Sequence, residues 1–235
     1  MASKSHRPPR TKEAATPAAG AGNGTSRVRS GVRSNAVDKR RLILDAAVGV
    51  FARRGFTACR VSDVADEAGV AYGLVYHYFD SKEEILDTLF VERWQLMLDA
   101  IEAIDGGEAS GREKLGLVAS FIIDSYRHSP DVMKVIIVEV TRAAHSFGRE
   151  HLEHIRTAYD RIGRIVEAAS RDGEFKPDIS AQFAAMCFYG AIEQLLSGWI
   201  FGVLPRTEEE YEQAKDLVVE TICGGLEATP ARTSA

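Results

Sequence analysis

Between Tyr72 and Phe79 the run YGLVYHYF sets three tyrosines, a histidine and a phenylalanine within eight residues. Phenol hydroxyls donate to phosphate oxygens and base edges, and aromatic rings stack or touch thymine methyls, so the cluster suits a core, a stacking platform or a nucleic-acid contact. A second candidate is REHLEHIR, where His151 and His154 stand three apart with Glu150 one turn before His154. A metal could use that spacing. A charged, solvent-facing helix explains it equally well, no further ligand is apparent in the segment, and no metal is assigned. The glycine-rich Gly20–Gly24 follows no strand and reads as linker rather than as a phosphate loop. No nucleophile elbow, P-loop or zinc-protease motif occurs, so no catalytic residue, cofactor or enzymatic activity is expected.

The elements that would hold the aromatic cluster are helices. In VSDVADEAGVAYGLVYHY, Val61, Val64, Ala65, Ala68, Gly69, Val70, Val75 and Tyr78 meet the needs of a helix-turn-helix. Those needs are small residues where two helices cross, a glycine able to turn left-handed, and apolar residues pinning the pair. Helical phase then divides the cluster. Val75 and Phe79 share an inward face, while Tyr72, Gly73, Tyr76 and His77 lie opposite, toward a major groove. Tyr78 occupies a phase that serves either the core or a backbone contact. Ahead of this unit, DKRRLILDAAVGVFARRG predicts an amphipathic helix with Ile43, Ala46, Ala47, Val50 and Phe51 on one face and Gly55 as its stop. After it, Ser81 and Glu84 have capping-box spacing and open a long helix from Lys82 to about Ile104. Lys82 in that first turn opposes the macrodipole, which suggests a phosphate partner, a solvated lysine being the alternative.

Charge agrees with a basic end that meets a polyanion. Residues 1–80 hold 13 Lys and Arg against 7 Asp and Glu, a net of +6, whereas residues 81–235 hold 16 against 27, a net of −11. Residues 1–34 are rich in small and polar residues and carry seven basic side chains, so a disordered tail is predicted. Arg27, Arg29 and Arg33 are either an arm toward nucleic acid or simply solvated. The remaining helices are predicted from about Arg112 to Arg127, Pro130 to Ala144, Phe147 to Arg171, Ser180 to Val203 and Glu208 to Leu226. The chain is therefore expected to be all-α with about nine helices: a helix-turn-helix domain over 35–81, a second domain over 82–228 and a flexible tail over 229–235. Three widely spaced cysteines, Cys59, Cys187 and Cys223, support no disulfide framework and fit a reducing cytoplasm. Glu193 and Gln194 interrupt the most apolar stretch, so a core helix is expected there and no membrane span.

The segments RLILDAAVGVFARRGF and VSDVADEAGVAYGLVYHYFDSKEEIL together resemble the DNA-binding domain of TetR-family transcriptional regulators. That resemblance implies a homodimeric repressor of a palindromic operator, read in double-stranded DNA by the third helix, with a divergent C-terminal domain for dimerisation and a ligand. It assigns Tyr72, Gly73, Leu74, Tyr76 and His77 to the reading segment, Tyr78 and Lys82 to phosphate contacts, and Ser62 to an early second-helix position facing DNA. Cys59 and Arg60 stand where the family usually has a threonine pair. Arg60 is still able to hold a phosphate, but the helix cap is lost, and Ala71 likewise offers no cap to the third helix.

The resemblance also implies that the last two helices pair with their copies in a dimer. Small residues such as Ala184 and Ala191 permit close approach, and Phe188, Leu195, Trp199 and Leu217 supply apolar area, an intramolecular core being the alternative. Trp94, Met97, Phe121, Ile122, Tyr126, Met133, Ile137 and Tyr159 are candidate pocket residues with few polar groups among them, which favours an apolar effector. The GVAYGLVYHYF wording is similar to that of fatty-acid-responsive members, implying a fatty acid or acyl-CoA. The competing reading is an α-helical small-molecule-binding protein or enzyme whose N-terminal bundle is merely structural.

Overall fold

The computed structural model describes residues 25–140 and 149–227. Gly20–Gly24 and the 229–235 tail lie outside the described residues. By internal packing the described residues from Arg40 onward form one unit, which holds the hydrophobic core. Nine α-helices and no strand occur among the described residues, apart from one isolated bridge between Phe175 and Glu227.

Helix α1 spans Thr25–Arg54, so residues 25–34 are helical where the sequence predicts disorder. Extending an existing helix costs far less than nucleating one, which lets a stretch with no apolar face of its own continue it. Gly55 ends α1 with φ 79° and an amide bond back to the Phe51 carbonyl at 2.9 Å. Helices α2 (Val61–Ala68) and α3 (Tyr72–Tyr78) follow, joined by a tight turn. Gly69 takes φ 62° there, and the Val70 amide returns to the Ala65 carbonyl at 3.0 Å. Only glycine adopts that left-handed geometry without penalty. Ile43, Ala47, Phe51, Val64 and Val75 are fully buried where α1, α2 and α3 meet.

Helix α4 (Lys82–Asp105) opens as the capping-box spacing predicts, with the Glu84 amide donating to Ser81 Oγ at 3.1 Å. The return arm reaches one residue further back, the Glu84 carboxylate accepting from the Asp80 amide. Helix α5 (Gly111–His128) has a full capping box from Ser110 and Glu113. Its first two amides, on Gly111 and Arg112, donate to the Glu174 carboxylate at 2.8 Å each. Helix α6 (Pro130–Lys134) starts at the proline and widens into a π-helical segment, Val135–Val140.

Helices α7 (Arg149–Arg171), α8 (Ala181–Ile200) and α9 (Glu208–Leu226) complete the chain. Helix α4 packs on α5 and α7, α7 on α8, and α5 on α9. Helix α8 ends before the expected Val203, because Gly202 turns at φ 71° and the amides of Val203 and Leu204 both return to the Gly198 carbonyl. No helix among the described residues is long and apolar enough to cross a membrane.

Candidate nucleic-acid interface and effector cavity

Helix α3 has a sharply divided surface. Val75 and Phe79 are 0% and 3% exposed, whereas Tyr72 and Tyr76 are 52% and 42% exposed. The tyrosine hydroxyls hydrogen-bond to each other at 3.0 Å, and the rings meet edge to face at 4.9 Å. That bond raises the Tyr76 pKa above its ordinary value. Gly73 is exposed between them, and a Cβ built there meets nothing within 4 Å. No contact among the described residues therefore requires a glycine at that position. His77 is exposed and packs edge-on against Tyr78 at 5.0 Å. Leu74 and Tyr78 are half-buried, Tyr78 resting against the core. As expected, Ala71 supplies no side-chain cap.

On α2, Ser62 is exposed in the first turn. No side chain caps the first amides of α2, but Asp63 makes the return arm, its carboxylate accepting from the Arg60 amide at 2.8 Å and from the Arg54 guanidinium at 2.6 Å. The backbone bond to Arg60, followed by the charge of Arg54, holds the Asp63 carboxyl below its ordinary value. Arg60 thus spends its backbone on the cap while its side chain is exposed beside Ser62.

Lys82 departs from the expected phosphate contact. Its ammonium donates to the carbonyls of Phe56 at 2.9 Å and Cys59 at 3.2 Å, reaches that of Thr57 at 3.4 Å, and lies 4.6 Å from the centre of the Phe56 ring. A cation tolerates the first turn of α4 because these carbonyls and the ring face compensate the unfavourable dipole. Lys82 thereby ties α4 to the turn between α1 and α2. Lys134 on α6 makes a second tie, donating to the Ala52 carbonyl at 2.7 Å.

Behind this domain α4, α5, α6 with the π-helical segment after it, and α8 line a half-open cavity of about 450 Å³. Of the predicted pocket residues, Trp94, Met97, Phe121, Ile122 and Met133 line it. Tyr126, Ile137 and Tyr159 do not. Tyr126 is buried in an aromatic stack on Trp199, with Tyr211 edge-on to both, and Tyr159 instead meets the back of the wall residue Tyr189 at 5.7 Å. Sequence periodicity missed Leu96, Val132, Ile136 and Tyr189, and it missed a polar end made by Arg93, Asp124, Ser125, His128 and Ser129. Helical phase alone does not reveal which of several apolar stripes surrounds empty space.

Comparison with known proteins decides the family. A model of bacterial regulatory proteins of the tetR family matches residues 43–89, and a tetracyclin repressor-like C-terminal domain matches residues 112–222. The transcriptional regulator BetI of Agrobacterium fabrum is 30% identical over 62% of this chain and 69% of its own. The chain belongs to the TetR family. It is accordingly a transcriptional regulator with a helix-turn-helix DNA-binding domain. The fatty acid metabolism regulator protein of Bacillus subtilis is 28% identical over 78% of this chain and 93% of its own. The structure of FadR from Bacillus subtilis in complex with stearoyl-CoA superposes with a TM-score of 0.71 at 26% identity, covering 80% of this chain and 99% of that one.

For this TetR-family chain the residues expected at a dimer interface need correction. Ala184, Phe188 and Trp199 are 6%, 0% and 1% exposed, packed inside their own chain, while Ala191 and Leu195 are half-buried and only Leu217 stands out at 58%. The outward face of α8 is instead rotated by one position, to Phe183 and Met186. Each helical residue advances the direction by about 100°, so a misjudged phase exchanges the buried and exposed sets. His151 and His154 also differ from a solvent-facing pair, since their rings lie 4.5 and 6.4 Å from that of Phe90 and His151 is buried. Among the described residues no three His, Cys, Asp or Glu side chains gather closely enough to hold a metal. The side chain of Glu150 lies outside the described residues.

Proposed function

We propose that this chain is a homodimeric repressor of a palindromic operator, released when a fatty acid or acyl-CoA fills the cavity. The carrying observation is that two walls of the cavity, α4 and α6, are each fastened to the DNA-binding domain by a lysine, through Lys82 to the Phe56 and Cys59 carbonyls and through Lys134 to the Ala52 carbonyl. A ligand that spreads α4 and α6 therefore displaces the platform that carries α3. An effector that favours the displaced form by about 1–3 kcal/mol lowers operator affinity about 5- to 150-fold.

The groove-facing set is Tyr72, Gly73, Tyr76 and His77, with Leu74 between them and Arg60, Ser62 and Tyr78 at its flanks. Lys82 acts from inside the protein. Dimerisation is supported by the exposed Phe183, Met186 and Leu217 on α8 and α9 and by Phe201 and Val203 beyond α8, a set of large apolar side chains whose exposure a monomer gains nothing from. A two-fold dimer places the two reading helices about 34–36 Å apart, one turn of DNA. The relative described as a fatty acid metabolism regulator and the stearoyl-CoA complex support an acyl effector. The test is selection of genomic fragments by the purified protein, then anisotropy of the recovered operator titrated with acyl-CoAs of graded length. Recovery of a palindrome and its release by an acyl-CoA are expected. Binding without any acyl response discards the effector, and failure to select a palindrome discards the operator reading.

A further inference from the structure

The polar end of the cavity separates into groups that are already engaged and groups that are not. The Asp124 carboxylate is taken by Lys215 at 2.8 Å and by Arg127 at 3.5 Å, and Ser125 Oγ donates to the Phe121 carbonyl at 2.7 Å. His128 donates through Nδ1 to the Asp124 carbonyl at 2.7 Å, so its one hydrogen is already spent. Ser129 begins α6 without a side-chain capping bond. Arg93 is exposed on the cavity rim and has no ion pair or hydrogen bond among the described residues. The open donors are thus a guanidinium and a hydroxyl.

The helix end beside them is partly engaged. Carbonyls that close α5 carry partial negative charge. Here the Asp124 carbonyl is capped by His128, and the Ser125 and Tyr126 carbonyls both receive the Ser129 amide at 3.1 and 3.2 Å. Helices α4 and α5 are joined by the short 106–110 turn and run antiparallel. Arg93 precedes Met97 toward the start of α4, and His128 closes α5, so both stand at one end of the cavity. The other walls, from Trp94 and Met97 to Phe121, Ile122 and Met133, are apolar. One end offers unspent positive charge and the remainder offers hydrocarbon.

We propose that the cavity takes an amphiphilic anion and that Arg93, assisted by the Ser129 hydroxyl, holds its charged head while the chain lies against Trp94, Met97 and Phe121. This rests on the effector reading above and adds the requirement for a headgroup. Anionic oxygens on an acyl chain come either from a free carboxylate or from the phosphates of a coenzyme A thioester, and a planar guanidinium suits both.

Calorimetric titration of the full-length protein with dodecanoate, dodecanoyl-CoA and uncharged dodecanol, repeated for Arg93→Gln and Arg93→Lys, tests it. At least one anion is expected to bind wild type about tenfold or more tightly than the alcohol, the worth of one charge-assisted hydrogen bond. Arg93→Gln removes that preference without changing dodecanol affinity, and Arg93→Lys restores part of it. Whether dodecanoate or dodecanoyl-CoA carries the preference identifies the source of the anion. Equal binding of anion and alcohol, or a uniform loss across all three in Arg93→Gln, overturns the headgroup assignment and leaves the apolar effector standing. No binding of any of the three to wild type removes both.

Discussion

The hydroxyls of Tyr72 and Tyr76 lie 3.0 Å apart on successive turns of α3, so the exposed face of that helix presents a linked pair rather than two independent phenols. One hydroxyl spends its hydrogen on the other, and the pair retains one outward donor. Tyr72→Phe and Tyr76→Phe are each expected to weaken operator binding, and the double variant to depart from additivity by about 0.5 kcal/mol or more, as contacting residues do. Anisotropy of the four proteins on one operator measures this. Additive losses would show two phenols acting independently at the DNA, and absent effects would show that the pair does not act there.

Gly73 separates stability from recognition. Nothing within 4 Å meets a Cβ at this position, so Gly73→Ala is expected to stabilise the folded protein by about 0.5–1 kcal/mol through helix propensity. The same methyl group obstructs close approach of the helix to DNA. Denaturant melts should show a gain while operator affinity falls. A gain in both would remove Gly73 from the interface.

Lys82 distinguishes an internal strut from a phosphate contact. Lys82→Met leaves the part-buried Phe56 and Cys59 carbonyls without this donor, and a loss of about 1 kcal/mol in unfolding free energy is expected. The slope of log operator affinity against log salt should stay as in wild type. A slope reduced by about one, with unchanged stability, would instead mark a lost phosphate contact.

Glu193 provides a pH test. Burial raises its pKa above the ordinary 4.5, and it stands near Tyr159 and Tyr189. The folded state therefore holds the proton more tightly than the unfolded state. Its contribution to stability is fully present below about pH 4.5 and is lost as pH rises through the folded value. Glu193→Gln cannot ionise, so its melting temperature relative to wild type should be higher at pH 8 than at pH 5. An unchanged difference would place Glu193 in solvent.

The helix-turn-helix was legible because its determinants are local. Val75 and Phe79 face inward and Tyr72 and Tyr76 outward by helical phase alone, and Gly69 turns where a left-handed residue is required. The cavity was only half legible. Trp94, Met97, Phe121, Ile122 and Met133 were found because they are large and apolar, but the same rule selected Tyr126, whose ring is spent on Trp199. Polar wall residues such as Arg93 and His128 left no signal, since a polar residue on an amphipathic helix looks the same beside a cavity as beside solvent.

By itself the sequence determined the all-α class, the turn glycine, the inward and outward faces of α3, and the resemblance to TetR-family DNA-binding domains. These follow from side-chain periodicity and backbone preference over a few residues, which need no knowledge of distant neighbours. The tertiary structure alone showed that Lys82 reaches the Phe56 and Cys59 carbonyls, that Trp199 belongs to its own chain's core, and which helices leave a cavity between them. Each of these depends on what lies opposite a side chain across a long separation in sequence, where charge compensation and packing select the partner.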